Sequence, residues 1–168
     1  MDVVKLVLPP SQVGRALWIV VGALATLAAV WTFQAFGFTP CELCLTERYA
    51  FYAAAPIAAL TAVFAIRSLH GVARALFVVL ALVFLWNVGL AFYHVGVEQH
   101  WWPGPTACTG TLSDSVSVND LMKSLNSVRV VECDKVQLRI LGLSFAGWDV
   151  VASAIAAIYS ALAAGLKR

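Results

Sequence analysis

The chain predicts an all-α membrane protein, a four-helix transmembrane bundle with two outer loops, as a single domain over residues 1–168. Three observations carry this. First, 61% of the 168 residues are hydrophobic and 12% are charged, where a soluble domain has about 45–50% apolar and about 25% charged residues. Second, four stretches lack Asp, Glu, Lys and Arg for long enough to cross a bilayer. Third, the basic residues near those stretches gather on one side of the resulting topology. Mean hydropathy is +0.86. Net charge is only +2, and no Lys/Arg cluster marks a nucleic-acid interface.

The first charge-free stretch runs from Ala16 to Cys41 and predicts a span near 16–36. It is longer than the apolar core of a signal peptide, about 7–15 residues, and no small-x-small cleavage site follows it. The second runs from Tyr49 to Ile66, the third from Ala75 to Val97 and the fourth from Val150 to Leu166. They predict spans near 49–66, 75–95 and 147–166. A spanning helix needs about 20 mainly apolar residues, so the second and fourth are at the short end. Outer loops then cover about 37–48 and 96–146.

The short connection "RSLHGVAR" carries Arg67 and Arg74, and both tails are basic, with Lys5 and Arg15 at one end and Lys167 and Arg168 at the other. The loop between the first two spans has no Lys or Arg before Arg48. The positive-inside rule therefore places both termini and the Arg67–Arg74 connection in the cytoplasm. Eight of the nine acidic residues are then outside. The second outer loop contains "SVNDLMKSLNSV", residues 117–128, with apolar residues at helical spacing. It reads equally as a membrane-surface helix or as a short helix packed on its own loop.

All four cysteines fall on the outer side: Cys41 and Cys44 in the first loop, Cys108 and Cys133 in the second. An even number confined to an oxidising compartment implies disulfides. In "TPCELCLTERYAFY", residues 39–52, Thr39 reads as a helix N-cap, Pro40 as the first helical residue and Glu42 as its capping-box partner. The dithiol then lies in a first helical turn, where the helix dipole stabilises a thiolate. Arg48, one turn beyond Cys44, adds a permanent positive charge. A disulfide closing so short a loop is a poor staple, because cross-linking gains grow with loop length. A redox centre is therefore the better reading. Leu45 where a histidine would be needed excludes a c-type haem motif. A four-cysteine zinc site is disfavoured because the second pair is not a C-x-x-C. The Cys108–Cys133 pair closes a longer loop and suits a structural role by length alone. Its redox reading depends on the reactive pair on the same face. "WWPGPTAC", ending at Cys108, reads as an interfacial, proline-stiffened segment.

Over nearly its whole length the chain resembles the DsbB family of bacterial inner-membrane thiol oxidases. The match rests on four spans, "PCELC", Glu47–Arg48, "WPGPTAC", a second cysteine pair in a long loop, and "LGL" at 141–143 followed by Trp148. The resemblance implies reoxidation of a periplasmic DsbA-like dithiol oxidase and transfer of two electrons to a membrane quinone, ubiquinone or menaquinone. It implies that Cys108 forms the mixed disulfide with that partner and that Cys133 is its mate. Cys41 and Cys44 would be the pair reoxidised by quinone, with Cys44 facing the ring and Arg48 holding a quinone oxygen. His94, at the outer end of the third span, is a candidate proton relay to the quinone, and Phe51 and Tyr52 are candidate wall residues. Asn87 reads as an interhelical hydrogen bond. Two rival readings are a non-catalytic four-span protein with structural disulfides and a quinone-linked reductase of the vitamin K epoxide type. The latter usually carries its quinone-facing C-x-x-C late in the chain. No resident metal is expected.

Overall fold

The computed structural model describes residues 9–105 and 133–166. Four helices are long and apolar enough to cross a membrane: α1 (Gln12–Ala35), α2 (Glu42–Ile66), α3 (His70–Glu98) and α4 (Phe145–Gly165). A two-stranded antiparallel hairpin, β1 (Arg139–Ile140) and β2 (Leu143–Ser144), precedes α4. Cys108 and the segment 117–128 lie outside the described residues.

Small residues hold the bundle together. Its core includes Ala16, Ala23, Ala54, Ala58, Ala157 and Ala163, with Ile19, Leu27, Phe51, Phe77, Leu80 and Phe84 as the large members. The exterior carries Leu17, Val21, Leu24, Leu60, Leu82, Leu85, Ile155 and Ile158, all exposed. This is the pattern of helices in lipid. Burying a large apolar side chain gains little there, so close approach of small residues and interhelical hydrogen bonds drive packing. Asn87 supplies such bonds, as the sequence suggested. Its amide donates from α3 to Asp149 Oδ2 at 3.0 Å and to Ser153 Oγ at 2.8 Å, both on α4.

Every helix runs beyond the charge-free stretch that marked it. The added turns carry Arg15, Glu42, Glu47, Arg48, Arg74, Glu98 and Asp149. A charge-free run locates hydrocarbon, whereas a helix continues until a cap ends it. Three of these charges are drawn inward. Arg15 is fully buried, and its guanidinium donates to the carbonyls of Pro9, Pro10 and Ala163 at 3.0, 2.7 and 3.0 Å. It thereby ties α1 to the C-terminal turn of α4, whose last carbonyls have no partner within the helix. Glu47 is buried in α2, so it does not belong to the outer loop over 37–48 where the sequence reading had it, and Asp149 is half-buried in α4. The first loop shrinks to residues 36–41.

Capping of α2 also differs from expectation. Its N-cap is Cys41, with φ −80° and ψ 172°, and not Thr39. The Cys41 sulfur accepts the Cys44 N–H at 3.2 Å and so takes the role assigned to the threonine hydroxyl, which makes Glu42 the first helical residue.

Because consecutive helices run antiparallel, Ala35, Glu42, Glu98 and Phe145 share one end of the bundle, the cysteine end. Arg15, Arg67 and Arg74 share the other. The hairpin folds over the cysteine end. Its turn residues Leu141 and Gly142 both have positive φ, 52° and 85°, as a tight two-residue hairpin turn requires. Trp148 Nε1 donates back to the Ile140 carbonyl at 2.9 Å. Ser144 then caps α4 by accepting the Gly147 N–H at 3.1 Å, and its hydroxyl donates to the Glu98 carboxylate. The LGL and Trp148 motif is thus the hairpin turn and the cap that start α4.

Candidate functional site

The first turn of α2 presents both cysteines on one side, three residues apart. Cys41 and Cys44 are free thiols, and their sulfurs lie 2.7 Å from one another. Cys41 is buried, and Cys44 is half-buried. As the cap residue, Cys41 stands outside the spanning segment. Its thiol is held below the usual range, first by the hydrogen bond with the Cys44 thiol, opposed by burial and assisted by the Cys44 backbone N–H. An accepted hydrogen bond favours the charged form of the acceptor, so these contacts ease loss of the Cys41 proton.

His94, from the cysteine end of α3, completes the cluster. It is 2% exposed, with Nε2 3.6 Å from Cys41 Sγ and Nδ1 2.7 Å from Glu47 Oε1. A carboxylate only accepts, so Nδ1 carries a hydrogen and Nε2 faces the sulfur. The histidine therefore sits directly on the dithiol. Nothing in the sequence placed Glu47 behind it, since 47 positions separate the two. The available signals were that Glu47 lies one turn after Cys44 and that His94 is set in an apolar run.

Arg48 follows Glu47 on the next position and turns to the other side. Its guanidinium donates to Gln34 Oε1 of α1 at 2.9 Å. Arg48, Cys44, Cys41 and His94 all line one cavity of about 440 Å³. Leu27, Val30, Phe33, Phe51 and Phe145 form apolar parts of its wall, and Glu98 and Asp149 are polar members. Phe51 is on the wall as expected. Tyr52 is not: it is exposed on the outer face of the bundle, where its hydroxyl accepts from Trp31 Nε1 at 2.9 Å.

Residues after Cys133 roof the cavity. Gln137 donates to the Thr39 carbonyl at 2.7 Å, which holds that strand against the loop leading into Cys41. Cys133 is disulfide-bonded, 2% exposed, and packed in one apolar cluster with Cys41, Leu43 and Val97. Its expected pairing with Cys108 lies outside the described residues. Trp102 backs this cluster. It stacks on Tyr93 with centroids 5.9 Å apart and 2° between planes, and its Nε1 donates to the Tyr93 carbonyl at 2.8 Å. His100, by contrast, is exposed and faces Asp134 at 3.8 Å.

The arrangement is a buried dithiol with an adjacent base, next to a second, already oxidised cysteine, on the wall of an apolar chamber. Thiol–disulfide exchange needs a thiolate and a neighbouring sulfur, and the cluster packs a thiol of lowered pKa against Cys133. The family described as Disulfide bond formation protein DsbB matches residues 14–163. A curated relative, Disulfide bond formation protein B of Aromatoleum aromaticum, is 32% identical over 165 residues, covering 92% of this chain and 94% of the relative. No solved structure matches the chain significantly. The chain therefore belongs to the DsbB family of disulfide bond formation proteins.

Proposed function

We propose that this protein is a membrane thiol oxidase that reoxidises a DsbA-like dithiol protein and passes the two electrons to a lipid-soluble quinone. The observation that carries the reading is the position of Cys44 and Arg48 on the wall of an apolar cavity between α1 and α4. Those two helices touch little along their middles. They are joined at the cysteine end by the edge-to-face contact of Phe33 with Phe145, centroids 5.0 Å apart, and at the other end by Arg15. A lipid-soluble quinone would enter through the space between them. Binding pockets of roughly 300–1,000 Å³ with apolar walls and a few converging polar groups suit a drug-sized ring, and this cavity fits a quinone head group. When bound, the quinone supplies a two-electron, two-proton acceptor for the sulfur chemistry.

The chain's own steps follow from the cluster. A thiolate of the partner attacks Cys108 and releases Cys133. The second partner thiol closes the partner's disulfide and frees Cys108. Meanwhile Cys133, packed beside Cys41, attacks the Cys41–Cys44 disulfide at Cys41 and frees Cys44. Cys108 then resolves the Cys41–Cys133 bond, so that Cys108–Cys133 is restored and Cys41 and Cys44 are left as a dithiol. His94 accepts the Cys41 proton at Nε2, and Glu47 stabilises the imidazolium. Arg48 supplies positive charge at the cavity wall and orients an oxygen acceptor. Both termini are cytoplasmic, the cysteines are periplasmic, and the protein spans the bacterial inner membrane.

Thiol trapping tests the relay. Cys133→Ser should stop partner oxidation, because Cys108 is left without a disulfide for the partner thiolate to open. Cys108→Ser should abolish partner oxidation while a small dithiol still feeds electrons through Cys41 and Cys44. Normal partner oxidation by both variants would make that pair a structural brace, as the non-catalytic reading requires.

A further inference from the structure

We propose that the reduced Cys41–Cys44 pair and His94 form a binding site for a soft divalent cation, Zn²⁺ or Cd²⁺, and that occupancy blocks re-formation of the disulfide. The binding half stands on geometry alone. The blocking half rests on the thiol-oxidase reading above.

The sulfurs of Cys41 and Cys44 and the Nε2 of His94 all lie within 4.8 Å of one another. Tetrahedral zinc has Zn–S near 2.3 Å and Zn–N near 2.0–2.1 Å, which sets a sulfur–nitrogen edge of about 3.6 Å. The Cys41–His94 distance is 3.6 Å. The sulfurs, now 2.7 Å apart, must separate to an edge of about 3.8 Å. Cys44 has the freedom to do this, because it is half-buried and faces the cavity.

His94 is also held as a metal-binding histidine is held. Its Nδ1 donates to Glu47 at 2.7 Å, which fixes the tautomer, aims Nε2 at the sulfurs and raises its basicity. Three protein ligands leave a fourth position facing the cavity, the arrangement of an open zinc site. The ligand set differs from a four-cysteine site, since Cys133 is held in a disulfide. Charge favours the site as well. Two thiolates in an apolar surround are costly, and a divalent cation neutralises them.

Binding converts two thiols and M²⁺ into a dithiolate complex and releases two protons, with no change of oxidation state. While the metal holds the sulfur lone pairs, neither thiolate can attack or leave, so the disulfide cannot close.

The test uses the full chain in lipid nanodiscs, with Cys108→Ser and Cys133→Ser so that only one cysteine pair remains, reduced and freed of reductant. Co²⁺ and Cd²⁺ serve as probes. One equivalent should bind, with thiolate-to-metal charge-transfer absorbance and loss of alkylation at both cysteines. The same preparation oxidised to the disulfide should bind none, a control that needs no further variant. Glu47→Ala should weaken binding by about 10–100-fold, and His94→Ala by more. Equal binding by the oxidised form would overturn the site. So would unchanged affinity in a His94→Ala protein of normal thermal stability, which would leave plain dithiol chelation. Zn²⁺ should stop disulfide re-formation with quinone and a chelator should restore it. If metal binds but re-formation proceeds unchanged, the blocking half is wrong. If the metal-free protein never reacts with quinone, the thiol-oxidase reading fails and the metal site stands.

Discussion

Cys41 is at once a helix cap, a hydrogen-bond acceptor and half of the dithiol. Its sulfur replaces the oxygen that usually accepts at an N-cap, and its thiol lies below the ordinary range first because the Cys44 thiol donates to it, with burial opposing and the Cys44 backbone N–H assisting. The sign follows directly. A lowered value keeps the thiolate populated as pH falls, so alkylation of Cys41 in the reduced protein should continue at pH below the usual thiol range, around 8.5. Cys44→Ala removes the thiol donor but leaves the backbone N–H, and should move the alkylation profile part of the way back up. A profile that stays put would assign the effect elsewhere. The C-x-x-C was legible in the sequence because its spacing is local. The Glu47–His94 and Arg48–Gln34 contacts were not, because each joins separate helices. Arg48→Ala should raise the quinone concentration needed for half-maximal turnover by about 10–100-fold, the range of a lost charged hydrogen bond of about 1.5–3 kcal/mol. Lys should rescue in part, since it keeps the charge without the planar fork. Gln34→Ala, which frees Arg48 from its anchor, should fall between. Wild-type quinone dependence in Arg48→Ala would reduce the residue to an interfacial anchor.

Each helix is positioned by its ends. Ser11, Cys41 and Ser144 cap α1, α2 and α4, and the hairpin turn at Leu141–Gly142 sets where α4 begins. At the end of α3 the decisive residue is Gly96. A Cβ there would sit 2.0 Å from Trp102 Cζ2, so only glycine lets the indole close over α3 and stack on Tyr93. Gly96→Ala should displace Trp102, change its near-ultraviolet circular dichroism and cost about 1–3 kcal/mol of stability, as overpacking does. In a Trp102→Ala background the same change should cost much less, and an undiminished cost would show that the tryptophan is not the obstacle. The Trp–Trp–Pro stretch read from sequence as an interfacial belt. Trp101 fits that, being exposed. Trp102 does not, because its ring is spent on Tyr93 and on backing the cysteine cluster. A glycine in an apolar run carries no signal of the ring that approaches it.

Among the described residues the bundle has a loosely packed seam between α1 and α4. The number of spans, the shared end of Cys41, Cys44 and Cys133, and the gathering of Arg15, Arg67 and Arg74 at the opposite end were all legible, because hydrocarbon thickness and charge asymmetry write them into composition. The α1–α4 seam was not. Helices in lipid lack a polar face to show which side turns inward, and the core here differs from the exterior mainly in side-chain size. Arg15 holds the seam closed at the end away from the cysteines. Arg15→Ala should lower stability by roughly 1.5–3 kcal/mol per charged hydrogen bond not replaced by water, measured by unfolding in mixed micelles. Unchanged stability would show that α4 is held by α3 alone.

The central claim is that electrons cross the cavity wall from Cys44 to quinone. It is tested most directly by mixing the protein in lipid with a reduced thioredoxin-fold dithiol and a measured amount of quinone, and following both together. One disulfide should form for each quinone consumed, and Cys44→Ser should stop quinone consumption with any donor. Quinone-independent formation of partner disulfide, or undiminished quinone reduction by Cys44→Ser, would contradict the account.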